Sequence, residues 1–149
     1  MHKASRRISF ISSALMNPTL ILLFSIFACS LLFVKPLPKA NIQIKSLDAS
    51  SYRRILTFNP NVDLSDQFNF NVKQIFVYLR VIYPTKSSEI LWSKIVQRGD
   101  VYKLVENVRS NYEIKGEVGR NVVLELRGNY FPFVGIIRDF SFGETNFIL

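Results

Sequence analysis

From Ile8 to Val34 the chain runs for 27 residues without one charged side chain, and no other stretch is like it. A helix rises ~1.5 Å per residue and the hydrocarbon of a bilayer is ~30 Å thick, so ~20 uncharged residues are enough to cross it. Residues 14–34 supply that length and are predicted as a transmembrane helix. Residues 1–13 then form a short leading segment, 35–39 a Pro-rich spacer and 40–149 one folded domain.

The apolar run is uneven. Ser9, Ser12, Ser13 and Asn17-Pro18-Thr19 interrupt its first half, whereas Leu20 to Val34 is almost wholly Leu, Ile and Phe. This places Asn17 and Pro18 near the headgroups or in the first helical turns, where a missing amide costs little. A cleaved signal peptide is the competing reading, because its apolar core needs only ~7–15 residues and Ala28-Cys29-Ser30 offers small residues for cleavage. A lipoprotein site fits poorly, since bulky Phe27 precedes the cysteine. Lys3, Arg6 and Arg7 flank the span on one side, and Lys35, Lys39 and Lys45 on the other. The tighter clustering of the first group predicts a cytosolic N-terminus, a type II topology.

Charge excludes little. The net +8 includes Lys3, Arg6, Arg7 and Lys35 at the membrane, and the domain's remaining 15 basic residues against 11 acidic ones read as a solvated surface. Nucleic acid is not expected as a partner. The one cysteine, Cys29, lies in the apolar run, so the domain can hold no disulfide, CxxC or thiolate metal site. The one histidine, His2, precedes the run, which removes the histidine-dependent hydrolases. A Ser/Lys pair is the remaining catalytic option. Ser93 and Lys94 are strand neighbours that point to opposite faces, and Lys86-Ser87 belongs to a turn. No catalytic, cofactor or metal residue is therefore assigned.

Period-two patterning fills the domain. Residues 41–47 alternate about Ile42 and Ile44, and Phe58, Val62 and Leu64 share one parity, with Pro60 marking an edge or a bulge. Ile75, Val77, Leu79, Val81 and Tyr83 line one side of a central strand over 72–83. A turn at Lys86-Ser87-Ser88 leads to a strand over 89–98, with Ile90, Trp92 and Val96 on one parity and Leu91 and Ile95 on the other. Val101, Leu104, Val105, Val108 and Tyr112 follow helical spacing behind Asp100 as N-cap, which predicts one short helix. After a turn at Gly116 and Gly119, Val122, Leu124, Leu126 and Tyr130 alternate with Asn121, Glu125, Arg127 and Asn129. The tail carries Phe131, Phe133, Phe140, Phe142 and Phe147, either core residues or an apolar face for a partner. The expected fold is mainly β, an antiparallel sandwich-like domain with at most one short helix, preceded by a single transmembrane helix.

Phe68-Asn69-Phe70-Asn71-Val72-Lys73-Gln74-Ile75-Phe76-Val77-Tyr78-Leu79 and Leu91-Trp92-Ser93-Lys94-Ile95-Val96-Gln97-Arg98-Gly99 resemble two motifs of the third, 22/23 kDa subunit family of the eukaryotic signal peptidase complex. Gly119-Arg120-Asn121-Val122 resembles a third family segment. The resemblance covers about residues 55–137. Phe70 stands where the family commonly has Trp, and Val123 removes a sequon many relatives carry at Asn121. No usable Asn-x-Ser/Thr sequon exists elsewhere, since Pro18 bars Asn17-Pro18-Thr19.

The resemblance implies a noncatalytic subunit in the endoplasmic reticulum membrane, single-pass type II, with its C-terminal domain in the lumen. Its implied partners are a catalytic serine-protease subunit, other small membrane subunits and, through the complex, signal-peptide-bearing preproteins. It implies no cofactor. The motif residues Phe68, Phe70, Asn71, Lys73, Gln74, Phe76, Tyr78, Leu91, Trp92, Lys94, Ile95, Arg98, Gly99, Gly119 and Asn121 are expected to shape the core, or to face a partner in the case of Lys73, Gln74, Lys94 and Arg98. The alternative function is a membrane-tethered adhesion or chaperone-like interaction domain unrelated to proteolysis.

Overall fold

The computed structural model describes residues 2–33, 35–50, 53–115 and 119–149. It divides into two compact units, Met1–Val34 and Lys35–Leu149.

The first unit is one helix, α1 (His2–Leu32), long and apolar enough to cross a membrane by length and composition. It starts before the predicted span because nothing from His2 onward forbids helix, and Pro18 lies well inside it rather than in its first turns. Its polar side chains turn back on their own backbone: Thr19 Oγ1 donates to the Leu15 carbonyl at 2.8 Å, and Ser25 Oγ to that of Ile21 at 2.8 Å. Such bonds satisfy hydroxyls where water is absent.

The second unit is antiparallel β throughout its described pairings. A four-stranded sheet has the order β5 (Ser88–Gln97), β4 (Val72–Ile82), β8 (Asn121–Pro132), β9 (Arg138–Ile148). A three-stranded sheet joins β1 (Gln43–Ser50), β2 (Arg53–Asn59) and β7 (Val108–Arg109), and a small ribbon pairs β3 (Val62–Asp63) with β6 (Lys103–Leu104). All share one core. Ile75, Val77, Leu79 and Val81 of β4 and Val122, Leu124 and Leu126 of β8 are buried with Leu56 and Phe58 of β2. Phe58 meets Trp92 edge to face at 5.6 Å, tying the three-stranded sheet to the four-stranded one.

The β domain departs from sequence expectation in three places. No helix forms over 101–112: Leu104 pairs in β6 and Val108 in β7, while Val101, Val105 and Tyr112 are exposed. Asp100 reaches backwards, its carboxylate accepting from the Gln97 amide at 2.8 Å, so it closes a turn instead of capping a helix. The edges of β2 and β3 offer this segment backbone partners, and that outweighs a weak helical period. Second, Phe58 and Val62 belong to different strands. β2 is the middle strand of its sheet and ends at Asn59; past Pro60, Asn61 takes φ 43° and donates its amide to Asn59 Oδ1 at 2.9 Å.

Third, a bulge at Leu91 breaks the parity of β5, since Trp92 pairs with Leu79 but Ile90 with Arg80. Leu91 and Trp92 both enter the core, and Ile90 and Ile95 face out. In the Lys35–Lys39 segment the Pro36 carbonyl accepts from Gln67 Nε2 at 2.9 Å. The Ala40 amide then bonds the Phe142 carbonyl at 2.9 Å. Gly116 lies outside the described residues, and Gly119 has φ 86°.

A second bulge places Phe142 inward on β9, between residues paired with Leu126 and Arg127. Gly128 leaves the space its ring fills, and Gly143 lets the Ala40 carbonyl approach to within 2.6 Å of where a Cβ would stand.

Candidate functional site

Several of the family-like residues gather at one end of the four-stranded sheet, others lie on its outer face or in the core, and Asn121 stands at the opposite end. At the first of these ends, a short 3₁₀ turn (Ser65–Gln67) leads to Phe68, whose ring lies 4.6 Å from that of Tyr102. Asn69 Oδ1 accepts the amides of Asn71 at 2.9 Å and Val72 at 3.1 Å, the side-chain turn that starts β4. Asn71 is buried, and its amide group binds both the carbonyl and the amide of Val134 in the β8–β9 loop. Arg98 closes the same end, donating to the carbonyls of Asn69 and Val72. Gly99, at φ 98°, permits the turn that puts Arg98 there, and its amide donates to the Tyr102 hydroxyl at 2.7 Å. These residues therefore position strands, and Arg98 is not turned toward open solvent alone.

A buried polar chain runs beneath. Tyr130 donates its hydroxyl to Gln67 Oε1 at 2.9 Å, and Gln67 in turn donates to Pro36. Burial pushes the Tyr130 phenol well above its ordinary value. The sequence pointed to neither Gln67 nor this chain, since a glutamine in a turn carries no period.

The outer face presents Gln74, Phe76, Tyr78 and Arg80 of β4, with Phe76 and Tyr78 stacked at 5.5 Å. Ile95 pairs with Phe76 and lies exposed on this face, and Gln74 is half-buried; Lys94, opposite buried Val77, belongs to the inner parity though exposed, and Lys73 is exposed at a bulge between Val72 and Gln74. Beside the aromatic strip lies an ion network. Glu125 accepts from Arg80 Nε and Arg127 Nη1, each at 2.7 Å, and Arg127 Nε donates to Asp139 at 3.0 Å. Tyr78 donates to Asp139 Oδ1 at 3.2 Å.

Glu125 is only 6% exposed although it belongs to the polar parity of β8, because the two arginines lie over it. Burial raises its pKa, but bonds from Ser141, Arg80 and Arg127 outweigh that and hold it below the ordinary carboxylate value. Asn121, the last motif residue, is exposed at the start of β8. Leu91 and Trp92 are core residues, as their apolar character implies.

The charges of Arg80, Glu125, Arg127 and Asp139 are paired with one another. Among the described residues no group of three or more His, Cys, Asp or Glu is placed to hold a metal ion.

Signal peptidase complex subunit 3 of Homo sapiens is 39% identical over 55% of this chain and 51% of its own length. The Caenorhabditis elegans protein of that name is 40% identical over 56% of this chain and 52% of its own. A Mus musculus protein, adipocyte-related X-chromosome expressed sequence 1, is 39% identical over 55% and 51%. The chain thus spans about half the length of the curated relatives it matches. The family model described as signal peptidase subunit matches residues 1–149, apolar helix and β domain together, and the chain belongs to that family.

Proposed function

We propose that this chain is a noncatalytic, membrane-anchored subunit of the signal peptidase complex of the endoplasmic reticulum. It supports removal of signal peptides from secretory and membrane preproteins, while a separate serine-protease subunit cuts the bond. Residues 1–13 lie in the cytosol, 14–34 cross the bilayer and 40–149 stand in the lumen, a single-pass type II arrangement. The observation that carries this reading is the family match along the whole chain, joined to a helix able to cross a membrane. Reacting groups must be held to within about an ångström, so a rigid domain that braces a protease beside the membrane has a direct physical use. The outer face of the four-stranded sheet, with Phe76, Tyr78 and Ile95, is the surface offered to that subunit.

The test is solubilisation in mild detergent and purification through a C-terminal tag. Co-purification of a serine-type membrane protease with signal-peptide cleavage, lost on depletion of this chain, is the expected result. A pure and inactive tethered domain would overturn the reading in favour of an adhesion or chaperone-like role.

A further inference from the structure

Four large apolar side chains stand out from the end of the domain described above. Phe133, Ile136 and Ile137 in the β8–β9 loop are 61%, 70% and 55% exposed, and Phe70 is 50% exposed. They form one group, because the Phe133 amide donates to the Asn71 carbonyl at 2.8 Å and Asn71 grips Val134. Scattered exposed apolar residues are ordinary, whereas several on one rigid loop mark a contact surface.

The identity of that contact follows from connectivity. Gln67, three residues before Phe70, holds the Pro36 carbonyl. Pro36 is separated from the apolar run only by Lys35. The end of the domain that carries the four side chains is thus also the end by which the chain enters it from the apolar run. Lys73 and Arg138 flank these tips in the chain, beside Asp66 and Asp100; Arg98 is bonded to the Asn69 and Val72 carbonyls, and the Asp100 carboxylate is engaged by the Gln97 amide. Apolar and aromatic tips among basic residues suit a lipid headgroup boundary, where rings and aliphatic chains sink and cations meet phosphate.

We propose that Phe70, Phe133, Ile136 and Ile137 form a foot that rests in the headgroup region of the bilayer crossed by the helix. It rests on the membrane reading given above. The foot would fix the height and tilt of the β domain over the lipid through a second attachment, so that orientation does not depend on the Lys35–Lys39 segment alone.

The experiment uses the full chain, with Cys29→Ser, reconstituted in phosphatidylcholine vesicles. A polarity-sensitive fluorophore is placed in turn at Ile136→Cys, at Lys86→Cys in the exposed β4–β5 turn, and at Leu23→Cys in the helix. Doxyl-labelled lipids then quench by depth. The foot predicts blue-shifted emission and quenching by shallow doxyl groups at position 136, none at 86, and quenching by deep groups at 23. Quenching at 23 with a water-exposed signal at 136 keeps the span and overturns the foot. Loss of quenching at 23 overturns the membrane reading and the foot with it. Protection of 136 from aqueous iodide without lipid quenching shows that protein, not lipid, covers the loop, which also overturns it.

Discussion

Asn71 and Val134, 63 positions apart, are joined by two hydrogen bonds: Nδ2 donates to the Val134 carbonyl at 2.7 Å, and Oδ1 accepts the Val134 amide at 3.0 Å. A side-chain amide here does the work of a backbone pair, so the start of β4 and the β8–β9 loop move as one body. Asn71→Ala leaves both Val134 groups without these bonds and should cost about 1–3 kcal/mol. Trp92 is the only tryptophan and is buried, so its fluorescence in denaturant titrations of the detergent-solubilised chain reads this loss. An unchanged midpoint would show that the clasp contributes nothing.

Tyr130→Phe strips the donor from buried Gln67 Oε1 and should destabilise the domain by about 1–2 kcal/mol. Gln67→Leu should go further and free Pro36, raising the rate of tryptic cleavage after Lys39 in the folded state. Because the native phenol is raised above the ordinary value of 10.0, its contribution is complete below that pH and is lost as pH rises past it. The alkaline limb of the stability profile should therefore start later in Tyr130→Phe.

Glu125 has the opposite sign. Its native pKa lies below the ordinary 4.5, so its stabilisation is present above that pH and fades as pH falls through the lowered value. Glu125→Gln removes the counter-charge of Arg80 and Arg127, costs about 2 kcal/mol near neutrality, and flattens the acid limb. Denaturant midpoints measured from pH 3 to pH 7 (roughly the range over which a carboxylate titrates) separate the two effects.

Gly128→Ala drives a Cβ into the ring of buried Phe142 and should cost about 1–3 kcal/mol. Phe142→Leu in the same chain should recover part of that loss, giving a non-zero coupling in a double-mutant cycle. Gly143→Ala should be harder to rescue, since its Cβ meets the Ala40 carbonyl, which is main chain and cannot be trimmed.

The linear sequence by itself determined the apolar helix, the long alternating strands β4 and β8 and their inner faces, because burial on one face of a regular element repeats with the element's own period. Tertiary structure alone decided the rest. The bulges at Leu91 and Phe142 shift parity because the partner strand, absent from any local window, dictates the pairing. The 101–112 segment became two short strands because the edges of β2 and β3 bind its backbone. Glu125 is buried by arginines from its own strand and its neighbour, and Gln67 links Pro36 to Tyr130 across more than sixty residues of chain. Contacts of that kind have no period, and only the folded chain brings their partners together.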